Sequence, residues 1–213
     1  MSTHPSIDPG IESGFVVYDA PLGGPPDLSS GPEAARRLAR LNELDLIRID
    51  AEWDAFARRL AESARDLIHT TDTPVAMVNF VTDATQFFAG LHAPAPAVPD
   101  SVVASGPGTG GELPRQMPLD YGGCPHVVSK GMALVLDDVC AWRGFWGNPV
   151  VDRYGVRSYN GAPLRDRTGT VLGTICLIDP DVRPWTKSRG LEFIKHHAAD
   201  LVERIHDRER RAR

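Results

Sequence analysis

With 213 residues, ordinary apolar and charged fractions and a formal net charge of −5, the chain suits one globular domain with tails. That charge, and the lack of a basic stretch interleaved with aromatics, excludes nucleic acid as the main partner, because neutralising phosphates takes clustered Lys and Arg. No apolar run approaches the ~18 residues of a membrane span, and the N-terminus has neither a basic start nor an apolar core, so a cytoplasmic protein off the membrane is expected. Three cysteines, Cys124, Cys140 and Cys176, argue against a disulfide framework.

Residues 1–32 hold Pro5, Pro9, Pro21, Pro25, Pro26 and Pro32 among Gly, Ser and Asp, a composition expected to form a flexible tail. Its apolar patch at 14–18 is suited to dock as an added strand. Leu38, Leu41, Leu44 and Ile47 recur every three residues and predict a helix over 33–49. Asp50 then caps a second helix, whose buried stripe is Trp53, Phe56, Leu60, Ala64, Leu67 and Ile68. Residues 75–81 and 86–91 predict a β-hairpin. Residues 92–118, rich in Pro, Gly, Ala and Ser, read as a lid over a pocket or as a disordered insertion. A short helix over 119–130, a strand over 132–136 and an aromatic, irregular connection over 140–151 follow, with Asn148-Pro149 as a break.

The stretch 156–179 is the most informative. Two runs of β-formers flank the turn Arg165-Asp166-Arg167-Thr168-Gly169, which predicts a long hairpin. Its first strand carries Tyr159, Asn160 and Gly161 where a purely structural strand would put branched apolar residues, so it is expected to line a cavity. A last helix carries Leu191, Ile194, His197, Ala198, Leu201, Val202 and Ile205 on one face, a stripe suited to pairing with the same helix of a second copy. The charged residues 207–213 read as a solvated tail.

Taken in order, these elements resemble a GAF domain over roughly residues 33–206. The resemblance is carried by Arg37-Leu38, Leu41, Leu44, Asp45, Pro74-Val75-Ala76, Gln86-Phe87-Phe88-Ala89-Gly90, Cys124-Pro125-His126-Val127-Val128 and Leu134-Val135-Leu136-Asp137-Asp138. It continues through Asn148-Pro149-Val150-Val151, Gly155-Val156-Arg157-Ser158-Tyr159, Gly161-Ala162-Pro163-Leu164, Gly169, Leu172-Gly173-Thr174-Ile175-Cys176 and Asp179. It implies an α+β fold of GAF/PAS-like type: an antiparallel sheet of five or six strands, with the N- and C-terminal helices on one face and a ligand pocket under loops on the other. It also implies a non-enzymatic regulatory role in which a small molecule binds and a separate effector protein responds.

Where relatives often have Phe and Ala, this chain has Ser158 and Asn160. Alternation puts these two on one face of the strand and Tyr159 on the other. Tyr159, Asn160, Trp142, Phe145, Cys124 and His126 are the expected ligand-binding residues, with Trp146 adding aromatic surface over the pocket. Neither the ligand nor a cofactor is named by these residues. Metal is not expected, because Cys124 and His126 lack the further pair that tetrahedral zinc needs. Bilin attachment in the family uses a Cys directly followed by His, and Pro125 intervenes here. Haem would rest on His126 as axial ligand. Reduction of free methionine sulfoxide, the activity of one family branch, needs two thiols, and Cys140 would have to stand in for one expected between 142 and 154. Cys176 reads as a core residue and Asp137-Asp138 as turn formers. The same aromatics are equally able to plug the pocket, leaving a ligand-free dimerisation or interaction module.

Overall fold

The computed structural model describes residues 26–94, 113–142 and 145–212. The expected docking patch at 14–18 and most of the expected lid or insertion lie outside them.

Chain order is α1 (Gly31–Glu43), α2 (Ala51–Ile68), β1 (Val75–Val81), β2 (Gln86–His92), β3 (Gln116–Met117), α3 (Cys124–Lys130), β4 (Leu134–Leu136), a 3-10 turn (Val139–Ala141), α4 (Pro149–Tyr154), β5 (Ser158–Arg165), β6 (Val171–Asp179) and α5 (Gly190–Ala212). The strands form one six-stranded sheet in the order β3-β2-β1-β6-β5-β4, antiparallel throughout. This is the α+β architecture that the resemblance implies. The predicted hairpin is β5–β6, paired from Ser158↔Asp179 to Arg165↔Val171.

The first helix ends six residues earlier than its periodicity suggests. Asp45 takes φ 50° and the Leu46 amide turns back to the Leu41 carbonyl at 3.1 Å, so Leu46 enters the core through a turn. Asp50 caps α2 as expected, its carboxylate accepting from the Glu52 amide at 2.9 Å. Asn148-Pro149 is a helix start, not a break: Asn148 Oδ1 accepts from the Val150 amide and Pro149 occupies the first turn of α4.

Each face of the sheet buries its own apolar layer. Trp53, Phe56 and Leu60 of α2, Leu41 of α1 and Ile194, Leu201 and Ile205 of α5 pack on Val78, Phe80, Ile175, Leu177 and Leu164. Full burial of side chains of this size stabilises by roughly 1.5–3 kcal/mol each. The apolar stripe of α5 is therefore taken up by its own sheet. Leu201 and Ile205 are core residues and are not available for pairing with a second copy. An amphipathic stripe shows that a helix needs a partner without showing which.

Residues from both expected tails pack on the domain. Leu28 is buried against Val81 and Val128, and the buried Arg37 guanidinium donates to the carbonyls of Leu28 (2.6 Å) and Val81 (2.7 Å). At the other end α5 runs on through the charged segment. Arg208 folds back onto α2, donating to Asp50 Oδ2 at 2.7 Å and stacking 4.0 Å above the Trp53 ring.

Candidate functional site

The second apolar layer lies on the other face of the sheet, beneath α3, α4 and the aromatic connection. Met77 of β1, Phe88 of β2, Tyr159 of β5 and Cys176 and Ile178 of β6 form its floor, and Cys124, Phe145 and Val150 close it from above. Asn148 Oδ1 also accepts from the Gly122 amide at 3.0 Å, which joins the start of α4 to the approach to α3. The cavity left between floor and cover is about 20 Å³. One water needs about 10–15 Å³ of such space and ligand pockets begin near ~300 Å³, so this cavity is of water size.

Tyr159 accounts for much of the filling. Its ring lies along its own strand over Gly161 and under Gly123, where an added Cβ at Gly123 would come within 2.9 Å of the ring. Gly161, conspicuous in the sequence, is thus the space that lets the phenol lie flat. The Tyr159 hydroxyl reaches Cys124 Sγ at 3.4 Å, and Cys124 Sγ lies 3.4 Å from Cys176 Sγ.

Around this thiol pair is a polar cluster that sequence reading missed. Asn79 Nδ2 donates to Gln86 Oε1 at 3.1 Å and lies 3.5 Å from Thr174 Oγ1. Gln86 Nε2 donates to the carbonyls of Pro118 and Tyr121, holding the segment before α3 against the sheet. Asn79 Oδ1 is buried without a hydrogen-bond partner. The available signal was a carboxamide interrupting the apolar run VAMVNFV. Hydrogen bonds from Cys176, Thr174, Tyr159 and Asn79 push the Cys124 thiol below its ordinary value against the opposing effect of burial. Cys176 goes the other way: its hydrogen bond to Cys124, burial and the nearby Cys124 charge push it up.

Of the six residues expected to bind ligand, Cys124, Tyr159 and Phe145 line the cavity. His126 is buried in α3 with its ring centroid 6.3 Å from that of Phe145, and burial followed by the Lys130 charge lowers its pKa. Trp142 is half-buried against the same apolar layer, outside the cavity wall. Trp146 is 68% exposed, its indole donating to the Cys140 carbonyl, so it does not cover the pocket. Asn160 has to be moved: it faces the helical layer, where Nδ2 donates to the Gly190 carbonyl at 3.0 Å. Strand alternation forbids adjacent Tyr159 and Asn160 from entering one cavity. Ser158 shares the face of Asn160 and is fully buried, so this face of β5 is packed in the helical layer and is no part of the cavity wall.

Asp137 and Asp138 hold turns. The first accepts from the Thr186 amide and hydroxyl, and the second from the Cys140 amide and Arg157. Among the described residues no group of three or more His, Cys, Asp or Glu is arranged to hold a metal ion, and no helix is long and apolar enough to cross a membrane.

Known structures share this arrangement at low identity. The GAF domain of an Acinetobacter phosphoenolpyruvate-protein phosphotransferase aligns with TM-score 0.51 and 12% identity, covering 86% of this chain and 99% of that one. The free methionine-R-sulfoxide reductase of Neisseria meningitidis aligns with TM-score 0.51 and 17% identity, covering 86% and 96%. Such identities speak for the fold alone. A cyclic di-GMP phosphodiesterase of Pseudomonas aeruginosa is 34% identical over 94 residues, 43% of this chain but only 16% of the phosphodiesterase. The GAF domain family model matches residues 55–205, from α2 into α5 and so across every strand of the sheet and both covering helices. On that match the chain belongs to the GAF domain family.

Proposed function

We propose that this chain is a non-enzymatic sensory module of signal transduction that admits a small molecule beneath α3 and α4 and acts on a separate partner protein. The observation that carries the reading is the buried Asn79 Oδ1, an acceptor without a partner in the polar cluster beside the cavity. A donor on an entering molecule would satisfy it, and leaving such a group bare costs about 1–3 kcal/mol. The floor belongs to a hydrogen-bonded sheet, whereas the cover consists of two helices of seven and six residues and Phe145 just before the second. Entry of anything larger than water requires that cover to lift and the rings of Phe145 and Tyr159 to turn. The 34% identical relative, of whose length the match is a small part, supports a regulatory piece that serves larger signalling proteins.

Mass spectrometry of small molecules released from freshly purified protein tests this, together with thermal shift against nucleotides and metabolites. A copurifying compound, or a rise in melting temperature that a Phe145→Trp substitution blocks, supports the reading. A protein that carries nothing and responds to nothing favours the second reading, a ligand-free interaction module, for which the water-sized cavity already speaks. Methionine sulfoxide reduction needs a second thiol: Cys140, expected in that role, is exposed and outside the cavity wall, whereas Cys176 lies 3.4 Å from Cys124 Sγ. Thiol-dependent turnover abolished by Cys124→Ser would restore that activity.

A further inference from the structure

Two cysteines that the sequence separates by 52 positions meet sulfur to sulfur at 3.4 Å beneath α3. Neither has a role in the proposed ligand response beyond lining the cavity. We propose that Cys124 and Cys176 form a peroxide-reactive dithiol, a site of reversible covalent modification that closes to a disulfide.

Three features of the structure support this. The sulfurs are in contact but unbonded, and both cysteines are free. A disulfide needs an S–S distance of about 2.05 Å, an approach of little more than an ångström from where they stand. Second, both residues line the water-sized cavity of about 20 Å³, so hydrogen peroxide, one oxygen larger than water, enters with only a slight lift of the cover, while the larger oxidants and thiols that would trap one sulfur alone are kept out. Third, the Tyr159 hydroxyl lies 3.4 Å from Cys124 Sγ, a donor that favours the thiolate at Cys124 and so makes it the attacking sulfur.

The chemistry closes with a small hydroperoxide as the oxidant. The Cys124 thiolate attacks one peroxide oxygen. An S–O bond forms, the O–O bond breaks, and hydroxide leaves to take up a proton as water. The Cys176 thiol then attacks the Cys124 sulfur, forming S–S and breaking S–O, and the departing hydroxide carries off the Cys176 proton as a second water. Two thiols and one hydrogen peroxide thus give one disulfide and two waters. An external dithiol reverses the reaction by exchange once the cover is lifted or the protein denatured.

Joining α3 to the middle of β6 would pull the cover onto the sheet. The consequence for the proposed function is separable: a module that binds no metabolite still has this thiol chemistry.

The experiment uses the full-length chain carrying Cys140→Ser, which removes the exposed thiol. Reduced protein is treated with one equivalent of hydrogen peroxide, then denatured in N-ethylmaleimide, and its intact mass is read. The expected product takes up no maleimide, weighs about 2 Da less than the reduced protein, gives a Cys124–Cys176 cross-linked peptide on digestion, and returns to two maleimides after dithiothreitol. Uptake of two maleimides after peroxide, or sulfinic or sulfonic acid on either cysteine without a cross-link, would overturn the proposal. Cys176→Ser supplies the complementary reading, in which Cys124 is expected to stop at a sulfenic acid that dimedone traps. Because the primary measurement keeps both cysteines, it holds even if that variant folds poorly.

Discussion

Arg40 on α1 donates through Nε to Asp166 Oδ2 at 2.6 Å, across 126 residues of sequence and with the carboxylate wholly buried. The other carboxylate oxygen organises the β5–β6 turn, accepting from the amides of Thr168 and Thr170 and from the Thr168 hydroxyl. Arg40 also reaches Glu209 near the end of α5 at 3.1 Å. These three side chains thus tie the first helix, the signature hairpin and the last helix together.

Asp166→Ala is expected to cost about 3 kcal/mol, because it strands a buried guanidinium and unties the turn, with Glu43 and Glu209 softening the loss. Urea denaturation at neutral pH measures it. Burial pushes the Asp166 carboxyl up, but the bonds from Thr168 and Arg40 outweigh burial and hold it below its ordinary value. Its contribution is therefore complete above about pH 4 and is lost as pH falls through the lower folded value. Wild-type stability should drop across that acidic range, and the Asp166→Ala curve should be flatter there. Parallel curves for the two proteins would contradict this account.

Arg208 spans Asp50 and Glu52 and covers Trp53, so the charged end of the chain is a stabilising clasp. Arg208→Lys keeps the charge but gives up the forked geometry and the stacking, with an expected loss of about 1 kcal/mol. Truncation after Ile205 should cost more than this single change. Equal stability of the truncated and full chains by urea denaturation would show the clasp to be idle.

Legibility in the sequence followed the range of the interactions. The β5–β6 hairpin and the α2 cap are local and could be read from alternation and from Asp50. Strand β3 could not: two residues, Gln116 and Met117, are strand only because β2 is there to pair with. Cys124, Tyr159 and Phe145 were legible as a pocket through the family resemblance. Asn79, Gln86 and Thr174 were not, because three polar residues on three strands become a cluster only when the register brings them together. The placement of Asn160 was recoverable. Alternation along β5 already sets it opposite Tyr159, and that rule outweighs the idea that an unusual polar residue must face a ligand.

Gly173 on β6 packs so closely on the backbone of Asn79 and Phe80 that a Cβ there has nowhere to go. Because the neighbour is strand backbone, it cannot move aside without breaking the β1–β6 ladder. Gly173→Ala is expected to destabilise by about 3 kcal/mol or more, beyond ordinary overpacking. It should also disturb the neighbouring Asn79–Thr174 contact, since Asn79 is paired with Thr174 next to it. Thermal melting together with the peroxide assay reads both effects; a variant as stable as wild type would refute the close approach.

Asn160→Ala separates the two faces of β5. The wild-type carboxamide makes one hydrogen bond, from Nδ2 to the Gly190 carbonyl, while its Oδ1 is buried without a partner. Substitution gives up about 1 kcal/mol for the bond and relieves an unsatisfied acceptor worth about 1–3 kcal/mol, with a small void opposing the gain. The terms nearly cancel, so stability within about 1 kcal/mol of wild type is expected by urea denaturation. Reactivity at Cys124 and binding beneath α3 should be unchanged, because the sheet stands between Asn160 and both. Altered peroxide sensitivity, or a lost thermal shift at unchanged stability, would mean that Asn160 reaches the cavity after all.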